Sequence, residues 1–156
     1  MYSLPADSAP ASLAANRQLV EILSRRNYPL VREHMTYRQF TAGSCLWQEG
    51  DAGGYLALIL TGSLETLKAT EFPDHPYVAG IFSAGTVIGE DGFLSDSPRN
   101  TTVRVLKSCE LLILTREKFE QLEQNHPAEA NRILKLLLSL VSTRLHNAQK
   151  RLAAIF

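Results

Sequence analysis

Between Tyr37 and Leu114 the chain runs in short β-forming stretches cut by glycine: "YRQF", "CLW", "YLALILT", "SLETLKA", "PYVAGIF", "TVI", "TTVRVL" and "CELLIL". Turn residues fall between them at Ala42-Gly43, Glu49-Gly50-Asp51, Thr61-Gly62, Pro73-Asp74 and Ala84-Gly85. Many short strands with such punctuation predict a small antiparallel sandwich or jelly roll. The 156 residues allow one domain with a real core and leave no room for two full ones.

Both flanks of this β-roll read as helix, so the expected class is mainly β with flanking helices. Residues 1–14 are expected to be a flexible N-terminus, Ser/Ala/Pro-rich up to Pro10. From Ala11 to His34, apolar residues at Leu13, Leu19, Val20, Leu23 and Leu30 suggest short helices interrupted near Pro29, and 15–36 is expected as a helical prelude. The roll covers 37–114, and helices cover 115–156. Thr115 opens the first of these, with Glu117 near the capping-box position and Phe119 and Leu122 on one face. After His126-Pro127 a long helix carries Leu134, Leu138, Val141, Leu145, Ala148, Leu152 and Ile155 at spacings of 4 and 3, a heptad seam. Ile133, Leu136, Leu137 and Leu140 form a second apolar face for the roll. Two apolar faces need two partners. The expected second partner is the same helix of another chain, giving a homodimer, against the alternative that one subunit buries both faces.

Charge narrows the partners. Lys plus Arg equals Asp plus Glu at 16 each, so no global field favours a polyanion or an anionic membrane. No direct nucleic-acid contact is expected. Cys45 and Cys109 stand without a CxxC pair and read as small core residues in a reducing compartment. His34, His75, His126 and His146 are scattered, and His75 reads as part of an exposed hairpin turn, "TEFPDHPY". No cofactor or metal is expected, and a jelly-roll enzyme lacks both a metal set and a convergent acid, base and nucleophile. The longest apolar run, "YLALIL", is far below a membrane span, and a cytoplasmic location is expected.

The chemically loaded segment is "VIGEDGFLSDSPRNTTVRV". Gly89 and Gly92 surround Glu90 where the chain turns into a short helical turn, and helix-start N–H groups beside glycine make an anion cradle. Arg99, nine residues after Glu90, could give a phosphate bidentate charge-assisted hydrogen bonds. Glu90 would repel the phosphate, but it could accept from a neighbouring hydroxyl such as a ribose 2′-OH. Phosphate, sugar hydroxyl and an apolar roll describe a nucleotide. On these residues alone, a structural Glu90–Arg99 ion pair is the favoured reading over a nucleotide site.

"GEDGFLSDSPRNTTV" resembles the phosphate-binding cassette of the cyclic-nucleotide-binding domain family, in its bacterial, catabolite-activator-like form. "FTAGSCLWQEGDAGGYLALILTGSLETL", with Gly43, Gly50 and Gly62 at turn positions, is similar to the family's opening strands, and "FSAGTVIGE" adds Gly85 and Gly89. The likeness covers roughly residues 15 to 152. It implies that Gly89 and Glu90 frame the ribose site, that Arg99 pairs with the cyclic phosphate, and that N–H groups of Gly92, Asn100 and Thr101 complete the cradle. It also implies that the base lies near Thr66, Val78, Ala79 and Ile88, with a residue of 147–150 above it. Gln149 can donate and accept toward a purine edge, or stand solvated beside the seam. The implied ligand is cAMP, ahead of cGMP, in a regulatory domain that signals through its C-terminal helix, free-standing or attached to a larger effector. No DNA-reading helix-turn-helix is expected in a chain ending at Phe156.

One residue departs from the pattern. Asp91 follows the ribose-binding Glu where the family carries an apolar side chain. It is expected to cap the following turn, the other harmless course being to point away. Were it to face the site, binding would weaken, and the alternative function, a nucleotide-blind dimerisation domain with a degenerate cassette, would gain ground.

Overall fold

The computed structural model describes residues 11–24, 29–95 and 97–155. The order is α1 (Ala11–Ser24), α2 (Pro29–Arg32), β1 (Thr36–Phe40), β2 (Cys45–Trp47), β3 (Tyr55–Lys68), β4 (Tyr77–Ser83) and β5 (Val87–Ile88). A 3-10 turn at Glu90–Gly92, β6 (Thr102–Thr115), α3 (Arg116–Asn125) and α4 (Pro127–Ala153) follow. α1 starts inside the stretch expected to be a flexible N-terminus, the rest of which lies outside the described residues, as do 25–28 within the prelude.

All six strands form one antiparallel sheet in the order β1-β6-β3-β4, with β2 added on β6 and β5 on β3. The expected turn at Thr61-Gly62 is not a turn. "YLALILT" and "SLETLK" form one strand of 14 residues, and β6 is equally long, joining "TTVRVL" to "CELLIL" through Lys107-Ser108. The reason lies at Gly62, which adopts φ +82° and where a Cβ would sit 2.3 Å from the Ser108 carbonyl oxygen. The two strands therefore bend together, with register shifts from Ile59 to Leu64, instead of reversing. Before the bend β3 and β6 are flanked by β5 and β1; beyond it, by β4 and β2. "TVI" shrinks to Val87 and Ile88.

Alternation sorts the side chains of these strands into two cores. Leu56 and Leu58 of β3, with Leu112 and Leu114 of β6, face the helices and join Leu19, Ile22, Phe119, Leu122, Ile133, Leu137 and Leu140. Ala57, Ile59 and Leu111 point the other way, into the roll, with Trp47, Leu64, Val103 and Val105. β5 splits in the same manner, with Val87 toward the helices and Ile88 inside the roll. Cys109 belongs to the inner core, whereas Cys45 is exposed, a correction to the expectation that both are buried. Its strand is a short one whose first residue points outward.

Thr115 caps α3 by accepting a hydrogen bond from the Lys118 N–H at 3.3 Å. Glu117 is one position short of a reciprocal capping box. Pro127 opens α4, where its missing N–H costs nothing. α4 packs on α1 and α3 through Ala130, Ile133, Leu137 and Leu140, with Leu134 and Leu136 partly buried against the same core. On its other side Leu138, Val141, Leu145 and Leu152 are exposed and Ala148 is half-buried, while α4 ends at Ala153 and leaves Ile155 of the expected seam exposed beyond it. Among the described residues no helix is long and apolar enough to cross a membrane.

Candidate functional site

The cassette starts where β5 leaves the roll. Gly89 takes φ +86°, and a Cβ there would meet the Arg99 guanidinium at 2.9 Å, Tyr55 O at 3.0 Å and the Trp47 ring at 3.1 Å, so glycine is required twice over. Phe93 then plugs into the helical core, edge-on to Phe119 at 5.3 Å between centroids. Gly92 O accepts from Gly54 N–H at 2.7 Å, and Gly53 packs so closely on Gly92 that a Cβ would lie 2.4 Å from that oxygen. The returning strand is pinned as well. Arg99 N–H donates to Asp51 O and Gly50 N–H donates to Arg99 O, each at 2.8 Å.

Arg99 is the largest fully buried side chain outside the aromatic residues. Its Nη1 donates to Gly89 O at 2.9 Å and its Nη2 to Tyr55 O at 2.6 Å. The guanidinium carbon lies 3.9 Å from the Trp47 ring centroid and 4.7 Å from that of Tyr55. Nε has no hydrogen-bond partner among the described residues. Burial presses the guanidinium pKa downward, opposed by Tyr55, Asp91 and Glu90. A cation this deep needs compensating acceptors, and it has two carbonyls, two ring faces and one nearby carboxylate.

That carboxylate is Asp91. Its Oδ1 lies 3.6 Å from Arg99 Nη1 and its Oδ2 accepts from Asn100 N–H at 3.3 Å. This corrects the expectation that Asp91 caps the following turn or points away. The buried charge of Arg99 gives the carboxylate a stronger reason to turn inward. Glu90 is also occupied: Arg144 of α4 pairs closely with its Oε1 and donates to Val87 O at 2.6 Å.

These groups surround a cavity of about 340 Å³, within the range of small-molecule sites. Of the anticipated residues, Thr66, Ala79, Ile88, Gly89, Glu90, Asn100 and Thr101 lie on its wall. Arg99 and Gly92 do not; both are buried one layer behind, under Gly89 and Asp91. Val78 sits on the outer edge of β4, about half exposed, and Gln149 is exposed on α4, so neither reaches the wall in this structure. Both displacements have a geometric cause. Val78 pairs with Leu67 just past a register shift at Thr66, which turns it outward, and Gln149 lies more than a helical turn beyond Arg144.

The wall also holds Trp47, Phe82, Asp91 and Arg144. Arg144 carried no sequence signal, since a basic residue beside a heptad seam reads as solvated. Trp47 had a faint one as the single tryptophan of the chain, in a strand beside a glycine turn. A larger depression of about 700 Å³ beside Cys109 has Glu110 as its only charged lining residue. Tyr37 already donates to that carboxylate at 2.6 Å. Convergent charge thus singles out the smaller cavity. No cluster of potential metal ligands occurs among the described residues.

A bent antiparallel β-roll with a glycine-rich cassette, a cavity lined by it and a long C-terminal helix defines the class of fold. The chain belongs to the cyclic nucleotide-binding domain family, whose model matches residues 37–126. It is similar to a cyclic nucleotide-binding domain from Methylobacillus flagellatus, at 25% identity and TM-score 0.77 over 92% of this chain and 84% of that one. It is also 29% identical over 120 residues to the CRP-like protein Clp of Xanthomonas campestris, across 76% of this chain and 52% of that protein. The chain therefore spans about half the length of the curated relatives it matches. The structure of Clp, described as a c-di-GMP-responsive global regulator, superposes with TM-score 0.70 at 25% identity, over 80% of this chain and 61% of the other. The regulatory domain of Toxoplasma gondii PKA, crystallised with cAMP, superposes with TM-score 0.59 at 25% identity over 78% of this chain and 46% of that one.

Proposed function

We propose that this domain is a cytoplasmic sensor that binds a cyclic nucleotide, cAMP ahead of cGMP, and reports occupancy through α4. The observation that carries the reading is the Glu90–Arg144 pair. Glu90 is the carboxylate that the family resemblance assigns to the ribose hydroxyl, and its present partner is a side chain of α4. A ligand hydroxyl at Glu90 would share or displace the Arg144 pair, which engages only Oε1, so occupancy and the position of α4 are linked through one carboxylate. The phosphate would approach the Gly89–Gly92 turn and the N–H groups of Asn100 and Thr101. Thr66, Ala79, Ile88 and Phe82 would flank the base. The chemistry required is binding alone, and the domain is not an enzyme on this reading.

The exposed stripe of Leu138, Val141, Leu145, Leu152 and Ile155 supports a homodimer through α4, which would carry the signal to a second subunit or a larger effector. A second reading, a nucleotide-blind dimerisation domain, draws on one observation: Asp91 faces Arg99 and Asn100.

Calorimetric titration with cAMP, cGMP and c-di-GMP, each up to millimolar concentration, tests the sensor, with Glu90→Ala as the blank. Saturable binding that weakens in the blank is expected. Heat from none of the three would leave the nucleotide-blind reading standing. Sedimentation of wild type and Leu145→Asp tests the dimer under both readings, and a monomeric wild type would remove it.

A further inference from the structure

We propose that Asp91 is a tethered occupant of the anion cradle, holding the position a ligand phosphate would take and thereby setting the ligand threshold of the site; this rests on the nucleotide reading above. Two of the cassette donors on the returning segment are the Asn100 N–H and the Arg99 guanidinium. One carboxylate spans both, with Oδ2 3.3 Å from the former and Oδ1 3.6 Å from the latter. A phosphate would present its oxygens in the same way. Arg99 is sealed from solvent, whereas the Asp91 side chain is 43% exposed and lines the cavity. The carboxylate is thus the layer between the buried cation and any incoming anion.

Both contacts are longer than a well-formed charge-assisted hydrogen bond, about 2.7–2.9 Å. They compensate Arg99 without locking Asp91 in place, and the side chain can swing toward solvent when a better anion arrives. A ligand phosphate must then displace one internal partner, Asp91, from the cradle. The apparent dissociation constant rises by the inverse of the fraction of molecules whose cradle is free. With the cradle self-occupied in nine molecules of ten, the loss is about tenfold. Asp91 is on this argument the residue that separates a weakly responding site from a tight one.

The test compares wild type with Asp91→Leu, which removes charge and acceptor, and Asp91→Asn, which removes charge alone. The first readout is the dissociation constant for cAMP, expected to fall at least about tenfold in Asp91→Leu. The second does not depend on nucleotide: the rise of melting temperature in sodium sulfate over sodium chloride at matched ionic strength. Asp91→Leu and Asp91→Asn are expected to rise more than wild type, because inorganic sulfate can enter the vacated cradle. Equal cAMP affinity and equal sulfate response in all three proteins would overturn the tethered-anion proposal and leave the sensor intact. A sulfate response confined to the variants, with no cAMP binding by any protein, would uphold the self-occupied cradle and overturn the nucleotide reading. Tighter cAMP binding by wild type than by Asp91→Leu would make Asp91 a ligand contact and refute the proposal outright.

Discussion

Replacing Arg99 by methionine keeps an unbranched stem of similar shape and deletes the cation. Two charge-assisted hydrogen bonds to Gly89 O and Tyr55 O are lost, at about 1.5–3 kcal/mol each. The stacking on Trp47 and Tyr55 adds about 2 kcal/mol for a desolvated cation. Against this, the variant no longer carries a buried charge, which returns several kcal/mol. The net expectation is a loss of about 2–4 kcal/mol in folding free energy. For a chain of this size that corresponds to a melting point lower by roughly 5–15 °C. Urea denaturation followed by fluorescence of Trp47, the only tryptophan and a direct neighbour of the guanidinium, reads both the midpoint and the local change. A loss smaller than about 0.5 kcal/mol, the range of an ordinary surface substitution, would refute the view that Arg99 holds the cassette from beneath.

Gly53→Ala puts a Cβ 2.4 Å from Gly92 O, so overpacking of about 1–3 kcal/mol is expected from chemical denaturation; a neutral result would mean that the cassette can retreat from the β2–β3 loop without cost. Thr115→Ala removes the cap on α3 and should cost about 0.5–2 kcal/mol in the same assay, whereas Thr115→Ser should cost less. Glu49 is held below its ordinary pKa of 4.5, first by its hydrogen bond from Lys68 and then by the Ala69 N–H. A depressed carboxyl stabilises the fold above its unfolded pKa, and this is lost as pH falls through the folded value. Wild type should therefore lose stability more steeply than Glu49→Gln between about pH 5 and about pH 3, and parallel melting curves over that interval would dismiss the effect.

How far the sequence could be read follows from where its signals are local. The 3.6-residue spacing of Ile133, Leu137 and Leu140 and the proline at 127 mark α4 from within a few turns, and the helix lies where they put it. The β-forming runs are equally plain. What they conceal is that Gly62 bends a strand without ending it, because the decisive contact is with Ser108, 46 residues away. The site divides along the same line. Gly89, Glu90 and Asn100 sit together because they are close in the chain. Arg144 reaches Glu90 across 54 residues, and no periodicity announces such a pairing. Asp91 shows a different kind of limit. Its identity as an aspartate suits a cap, and only the depth of Arg99 beneath it shows why the carboxylate turns inward.

The bend at Gly62 also governs how the molecule can move. The same two backbones, β3 and β6, carry Leu56, Leu58, Leu112 and Leu114 against the helices and Ala57, Ile59, Leu111 and Val103 inside the roll. Neither core can slide past the other, since any shear between them would have to pass through a single pair of continuous strands. The roll is in this sense a fixed frame with no hinge of its own. The cassette and α4, which border its rim, meet at the Glu90–Arg144 pair.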